Sequence, residues 1–122
     1  MIESIKQNAE LVISVASSEL DVEVGFDLPG VEWLDGYISR QHEHGDPANR
    51  DGLVSTLGSY FGECIIQSYG GQWAQLDGDW AVRFDEKNAV FPFSKVSKHL
   101  ENGPEDSVLS MFTTIPLVFK LA

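Results

Sequence analysis

Glu63 is the carboxylate whose neighbours most invite a chemical role. It follows Gly58-Ser59-Tyr60-Phe61-Gly62. At about 100° per residue it falls just beyond a strip of small residues, Ser55, Gly58 and Gly62, that borders an apolar helix face. At the rim of such a groove a carboxylate can accept hydrogen bonds from a ligand or act as an acid or base. At a helix–hairpin junction it can instead accept a structural N–H, the Trp73 indole among them. A paired-carboxylate hydrolase needs a second acid at fixed separation, and the spacing supplies none. A small-molecule binder or hydrolase with a pocket near Glu63 and Trp73 is therefore the alternative expectation.

His42-Glu43-His44 with Asp46 is the only cluster of metal-ligand types. In an extended backbone the two histidines share a side, but a further ligand would have to come from distant His99. A polar surface loop is the plainer reading, and no metal is expected. Cys64 is flanked by Glu63 and shares a face with Leu57 and Phe61. A reactive thiolate needs electropositive, partly open surroundings, so Cys64 reads as a buried, inert thiol. Lys95 and Lys98 near a helix start could meet an anion, but they read as a solvated face. No Walker loop, dinucleotide fingerprint, HExxH or GxSxG elbow occurs. No catalytic residue and no cofactor is expected.

The elements that must position these residues follow from periodicity. Ile2, Ile5, Ala9, Val12, Ile13, Ala16 and Leu20 share one arc, predicting an amphipathic helix over 2–20. Val22, Val24 and Phe26 alternate with acids and Gly25, as in a short extended segment. Pro29 in a first turn, with Val31, Leu34, Tyr37 and Ile38 on one face, predicts a second helix to about Gln41. Beyond the polar loop at 42–49, Leu53, Val54, Leu57, Tyr60, Phe61, Cys64 and Ile65 define a central helix over about 53–69, stopped by Gly70-Gly71. Each interior glycine costs ~1 kcal/mol relative to alanine, so Gly58 and Gly62 predict close approach of another backbone.

The period then changes to two. Asp77-Gly78 is a two-residue hairpin turn that pairs Leu76 with Asp79, Gln75 with Trp80 and Trp73 with Val82. Trp73, Gln75, Trp80 and Val82 then share the better core face. Asp85-Glu86-Lys87-Asn88 turns into Ala89-Val90-Phe91, and Pro92 ends the pairing. A short helix capped by Ser94 and stopped by Gly103 follows. Another opens at Pro104-Glu105-Asp106 and closes at Pro116, leaving 117–121 as an added strand or a packed tail. Residues 1–122 thus read as one α+β domain: a three-stranded antiparallel meander over about 72–91 packed against about five helices.

Several segments in this order carry a resemblance: Trp33-Leu34-Asp35-Gly36-Tyr37-Ile38, Leu57-Gly58-Ser59-Tyr60-Phe61-Gly62-Glu63, Gly70-Gly71-Gln72-Trp73, Phe91-Pro92-Phe93-Ser94-Lys95-Val96 and Asn102-Gly103-Pro104-Glu105-Asp106-Ser107. Together they resemble small bacterial single-domain proteins grouped as domains of unknown function. The likeness spans about residues 28–115. It implies a bacterial single-domain protein, and no activity travels with it.

Charge gives the functional expectation. The formal net charge is −11. Glu19, Asp21, Glu23, Asp27, Glu32 and Asp35 fall in one stretch without a base. Such a surface repels phosphate backbones and anionic lipid, which disfavours nucleic-acid and membrane binding. A single cysteine rules out an internal disulfide. Residues 1–20 are too polar for a signal peptide, and no run approaches the ~20 apolar residues of a membrane span, so a cytoplasmic location is expected by elimination. Acidity serves solubility in any case. Its concentration upstream points to a non-enzymatic interaction module for a basic protein partner, steered by those six acids to an apolar contact through Trp33 and Tyr37. Neutralising a basic toxin, an immunity-type role, is one biological form of this. The apolar tail and an open sheet edge allow a monomer or a homodimer.

Overall fold

The apolar arc over residues 2–20 folds as α1, Ile2–Leu20, in a computed structural model that describes residues 1–120. Ile5, Ala9, Val12 and Ala16 form its buried side, which lies chiefly against α3 (Arg50–Tyr69). Asp21 stops it in the left-handed region at φ 55, and the Val22 N–H returns to the Ala16 carbonyl at 2.9 Å. Residues 22–26 form no strand. Val24 and Phe26 pack on the core instead, with Phe26 5.6 Å from the Tyr60 ring, so burial without a partner strand sets their conformation.

Helix α2 (Leu28–His44) begins where Asp27 accepts the Gly30 N–H at 3.0 Å, with Pro29 in the first turn. It runs past Gln41. The His42 imidazole bonds the Leu100 carbonyl from Nδ1 at 2.8 Å, which anchors the extra turn to α4 (Pro92–Asn102). His42-Glu43-His44 is therefore helical rather than a loop. Two residues apart on a helix, the histidines diverge by about 200° and share no side.

A short 3-10 turn, Pro47–Asn49, leads into α3, three residues ahead of the apolar run that marked it. Tyr60, Phe61, Cys64 and Ile65 are completely buried at its centre. Its two glycines receive aromatic rings. A Cβ at Gly62 would fall on the Trp73 indole and one at Gly58 on the Phe93 ring. The expected backbone approach occurs only at Gly58, where the Phe93 Cα is also close.

Strands β1 (Gln72–Leu76), β2 (Asp79–Arg83) and β3 (Ala89–Val90) form an antiparallel meander in the order β1-β2-β3. The register matches that read from the turn: Trp73 opposes Val82, Gln75 opposes Trp80 and Leu76 opposes Asp79. Asp77 (φ 53) and Gly78 (φ 87) both take the left-handed conformation that a primed turn demands. Trp73 and Val82 reach the core, Trp80 is half-buried and Gln75 is exposed near the turn.

Pro92 opens α4 directly, two residues before the expected Ser94 cap, because its fixed φ suits a first turn and its missing N–H costs nothing there. Gly103 (φ 77) ends α4, and Gly103–Asp106 is a 3-10 turn rather than the start of the next helix. Ser107 caps α5 (Val108–Val118) by accepting the Ser110 N–H at 3.2 Å. Pro116 lies inside α5 instead of closing it. Only the bond to the Phe112 carbonyl is lost, and the Phe119 N–H still reaches Ile115 at 3.0 Å. The stretch after Pro116 is thus helical to Val118, not a strand, and Leu121 lies outside the described residues. Among the described residues the architecture is α+β, five helices around a small meander, as the sequence led us to expect.

Candidate functional site

Trp33 and Tyr37, one helical turn apart on α2, stack with ring centroids 5.5 Å apart and planes at 29°. Both are half-buried. Tyr60 supports them edge-on from the core, 6.3 Å from Trp33, and is itself fixed by donating its hydroxyl to the Gly25 carbonyl. The stacked pair walls a groove of about 130 Å³, roughly the room of one large apolar side chain. Leu11, Val15 and Leu20 of α1 form the facing wall, and Leu53 and Thr56 of α3 the floor. Leu11 is 50% exposed, Val15 41% and Leu20 46%. These make a contiguous apolar stripe on a chain that is otherwise strongly charged.

The acids divide into two sets. Glu19 lies one turn beyond Val15 on α1, and Asp21 and Glu23 follow at the end of the groove where Leu20 sits. All three are exposed, and Glu23 accepts the Ser17 hydroxyl at 2.6 Å. Glu32 is exposed beside Trp33. Asp27 is exposed but engaged as the cap of α2. Asp35 departs from expectation: it points to the opposite side of α2, where its Oδ1 accepts the Ser107 hydroxyl and the Leu109 N–H (3.1 Å). It caps α5 from outside and is not part of the acidic face. Arg40, the only arginine or lysine of α2, folds back over Gly36.

Behind Asp35 lies a buried cluster that superficially has the members of a serine–histidine–aspartate triad. Completely buried His99 has Nε2 at 2.9 Å from Ser39 Oγ and Nδ1 at 3.8 Å from Asp35 Oδ1. The Val108 N–H donates to Nδ1 at 3.3 Å, however. That bond puts the ring proton on Nε2, which donates to Ser39 Oγ. The imidazole is then the wrong tautomer to take the serine proton. Burial also holds its pKa below the ordinary histidine value, against the opposing pull of Asp35. The cluster clamps α2, α4 and α5 together.

Glu63 and Trp73 are brought together, but on each other. Glu63 is 6% exposed, and its Oε2 accepts the Trp73 indole N–H at 2.8 Å. Outside them is an open depression bordered by Lys6, Gln67 and Gln72. Cys64 is buried, and desolvation pushes its thiol up to about 12, the inert state expected of it. Among the described residues, no group of three or more His, Cys, Asp or Glu side chains is placed to hold a metal ion, and no helix is long and apolar enough to cross a membrane. No protein-family model matches this chain, nor does any curated protein or solved structure.

Sequence reasoning missed Leu11, Val15 and Leu53 as groove residues and Ser39, His99 and Ser107 as a network. The first omission had a signal. Leu11 and Val15 are one turn apart and lie off the core arc of α1, so they form a second apolar stripe. His99 also left a trace, since Val96, His99 and Leu100 have the spacing of one inward helix face. Its partners Ser39 and Val108 are 60 and 9 residues away in sequence, and nothing local points to them.

Proposed function

We propose that this chain is a non-enzymatic protein–protein interaction module that seats one apolar anchor of a basic segment in the groove between α1, α2 and α3. The observation that supports this is the stacked Trp33–Tyr37 wall facing the exposed Leu11, Val15 and Leu20, with Glu19, Asp21 and Glu23 at one end. Apolar burial against rigid aromatic residues supplies affinity, and the acids select and speed a cationic partner. An amphipathic basic helix suits a groove between helices, presenting one apolar residue inward and its lysines or arginines to the rim. A net charge of −11 adds long-range steering. Neutralising a basic protein is one use of such a surface.

A fluorescently labelled helical peptide of leucine and lysine, and its leucine–glutamate counterpart, test the proposal by anisotropy. The basic peptide binds saturably at one-to-one stoichiometry and weakens as salt rises, while the acidic peptide does not bind. Trp33→Ala and the exposed change Val15→Ser each weaken binding about tenfold or more, as expected for a contact worth about 1.4 kcal/mol or above. Unchanged affinity in both variants, or indifference to salt, would refute it.

A further inference from the structure

A second, larger cavity lies apart from that groove, where the first turns of α1, the start of α3, the hairpin turn and the start of α4 converge. Its volume is about 600 Å³. Three aromatic residues face it: Trp80 of β2, and Phe91 and Phe93 on either side of Pro92. Phe93 is held rigidly, seated on the bare backbone of Gly58 and 5.7 Å from the Trp73 ring. Two carboxylates reach the same space from different elements, Asp51 in the first turn of α3 and Asp79 at the first position of β2. Among the described residues neither carboxylate has a hydrogen-bond or ion-pair partner, whereas Asp27, Asp35, Asp46 and Asp85 each accept a backbone N–H. Among the described residues no lysine, arginine or histidine lines the cavity, but Met1, with the amino terminus, does. Asp79 also borders the adjoining depression beyond Phe91 and Ser94, together with Lys95 and Lys98, of which Lys95 is paired with Asp106 at 3.4 Å.

We infer that this cavity binds a small organic cation, an alkylammonium ion whose charged head lies against the aromatic faces and whose charge is matched by Asp51 and Asp79. Aromatic faces carry negative electrostatic potential and attract an ammonium group. The two carboxylates outnumber the one terminal amine of Met1 and complete the recognition, and the polar side chain of Asn8 offers a bond to a hydroxyl on the ligand. A neutral sugar would also find aromatic and polar partners here, but it would leave both carboxylates without a counter-charge. A phosphate or carboxylate ligand would meet two like charges.

Choline chloride is a suitable probe because 3,3-dimethylbutanol is its uncharged carbon isostere. Titration of isotope-labelled protein, followed by amide chemical shifts, should give saturable changes at Asp51, Ser55, Asp79, Trp80 and Phe93 with choline. The isostere should bind at least tenfold more weakly, and methyl glucoside should leave these signals unmoved. Asp51→Asn and Asp79→Asn change exposed side chains, so both variants should fold, and each should weaken choline by about fivefold or more. Equal binding of the isostere, wild-type affinity in both Asn variants, a response to the glucoside alone, or no saturation by 50 mM choline would each overturn the inference. The peptide-binding proposal is independent of all four results, since it depends on a different groove.

Discussion

Replacing Trp73 with phenylalanine isolates the contact that fixes the sheet to the central helix. The change removes the indole N–H and leaves the Glu63 carboxylate, 6% exposed, without its donor at 2.8 Å. Stranding a buried charged acceptor costs about 1.5–3 kcal/mol. The indole's outer ring is also what fills the space over Gly62. Losing roughly 40 Å³ there adds about 1 kcal/mol at about 24 cal/mol per Å³ of cavity. The sum, about 2.5–4 kcal/mol, is a large share of the ~5–15 kcal/mol that holds a domain of this size. It should lower Tm by roughly 8–16 °C. Urea unfolding followed by far-UV circular dichroism is the appropriate assay, because tryptophan emission itself changes in the variant. Glu63→Gln keeps an acceptor oxygen and removes the charge, so it should cost about 1 kcal/mol or less. In that background Trp73→Phe should lose about 1 kcal/mol of its effect. A Trp73→Phe protein within 0.5 kcal/mol of wild type at equal m-value would refute the reasoning.

Other consequences follow from the same contacts. Because burial lowers the folded pKa of His99 below its ordinary 6.5, the unfolded chain binds the proton first as pH falls. The His99 contribution to stability is therefore complete above pH 6.5 and declines below it, levelling once the folded form also titrates; in His99→Gln the part of the decline beginning near pH 6.5 should disappear from a pH series of urea midpoints. Gly62→Ala should destabilise by about 1–3 kcal/mol, since the added methyl would overlap the Trp73 ring, whereas alanine at exposed Gly52, where nothing lies within 4 Å, should be neutral or stabilising. Asp35→Asn should cost about 1–2 kcal/mol of stability by weakening the α5 cap, yet leave the affinity for the basic peptide unchanged. Cys64 should react with a thiol reagent in the native protein only as fast as the chain opens, so its rate should follow global unfolding measured by hydrogen exchange.

Local rules determined a good part of this protein from the sequence. The span of α1, the stop at Gly70-Gly71 and the register across Asp77-Gly78 depend on side-chain periodicity and on residues that tolerate positive φ, and these act over a few neighbours. The aromatic pair Trp33–Tyr37 was legible for the same reason, as two residues one turn apart. What the tertiary structure decided depends on partners distant in the chain. Leu100 extends α2 through His42, which no propensity of His42-Glu43-His44 announces. Ser107 and Leu109 draw Asp35 away from the acidic face, although in sequence it looks like its five companions. Trp73, ten residues from Glu63, turns a candidate acid into a structural acceptor. The groove itself belongs to no single helix. Leu11 and Val15 acquire meaning only when α2 and α3 bring Trp33, Tyr37 and Leu53 opposite them, because a recess is a property of three packed surfaces and not of any one of them.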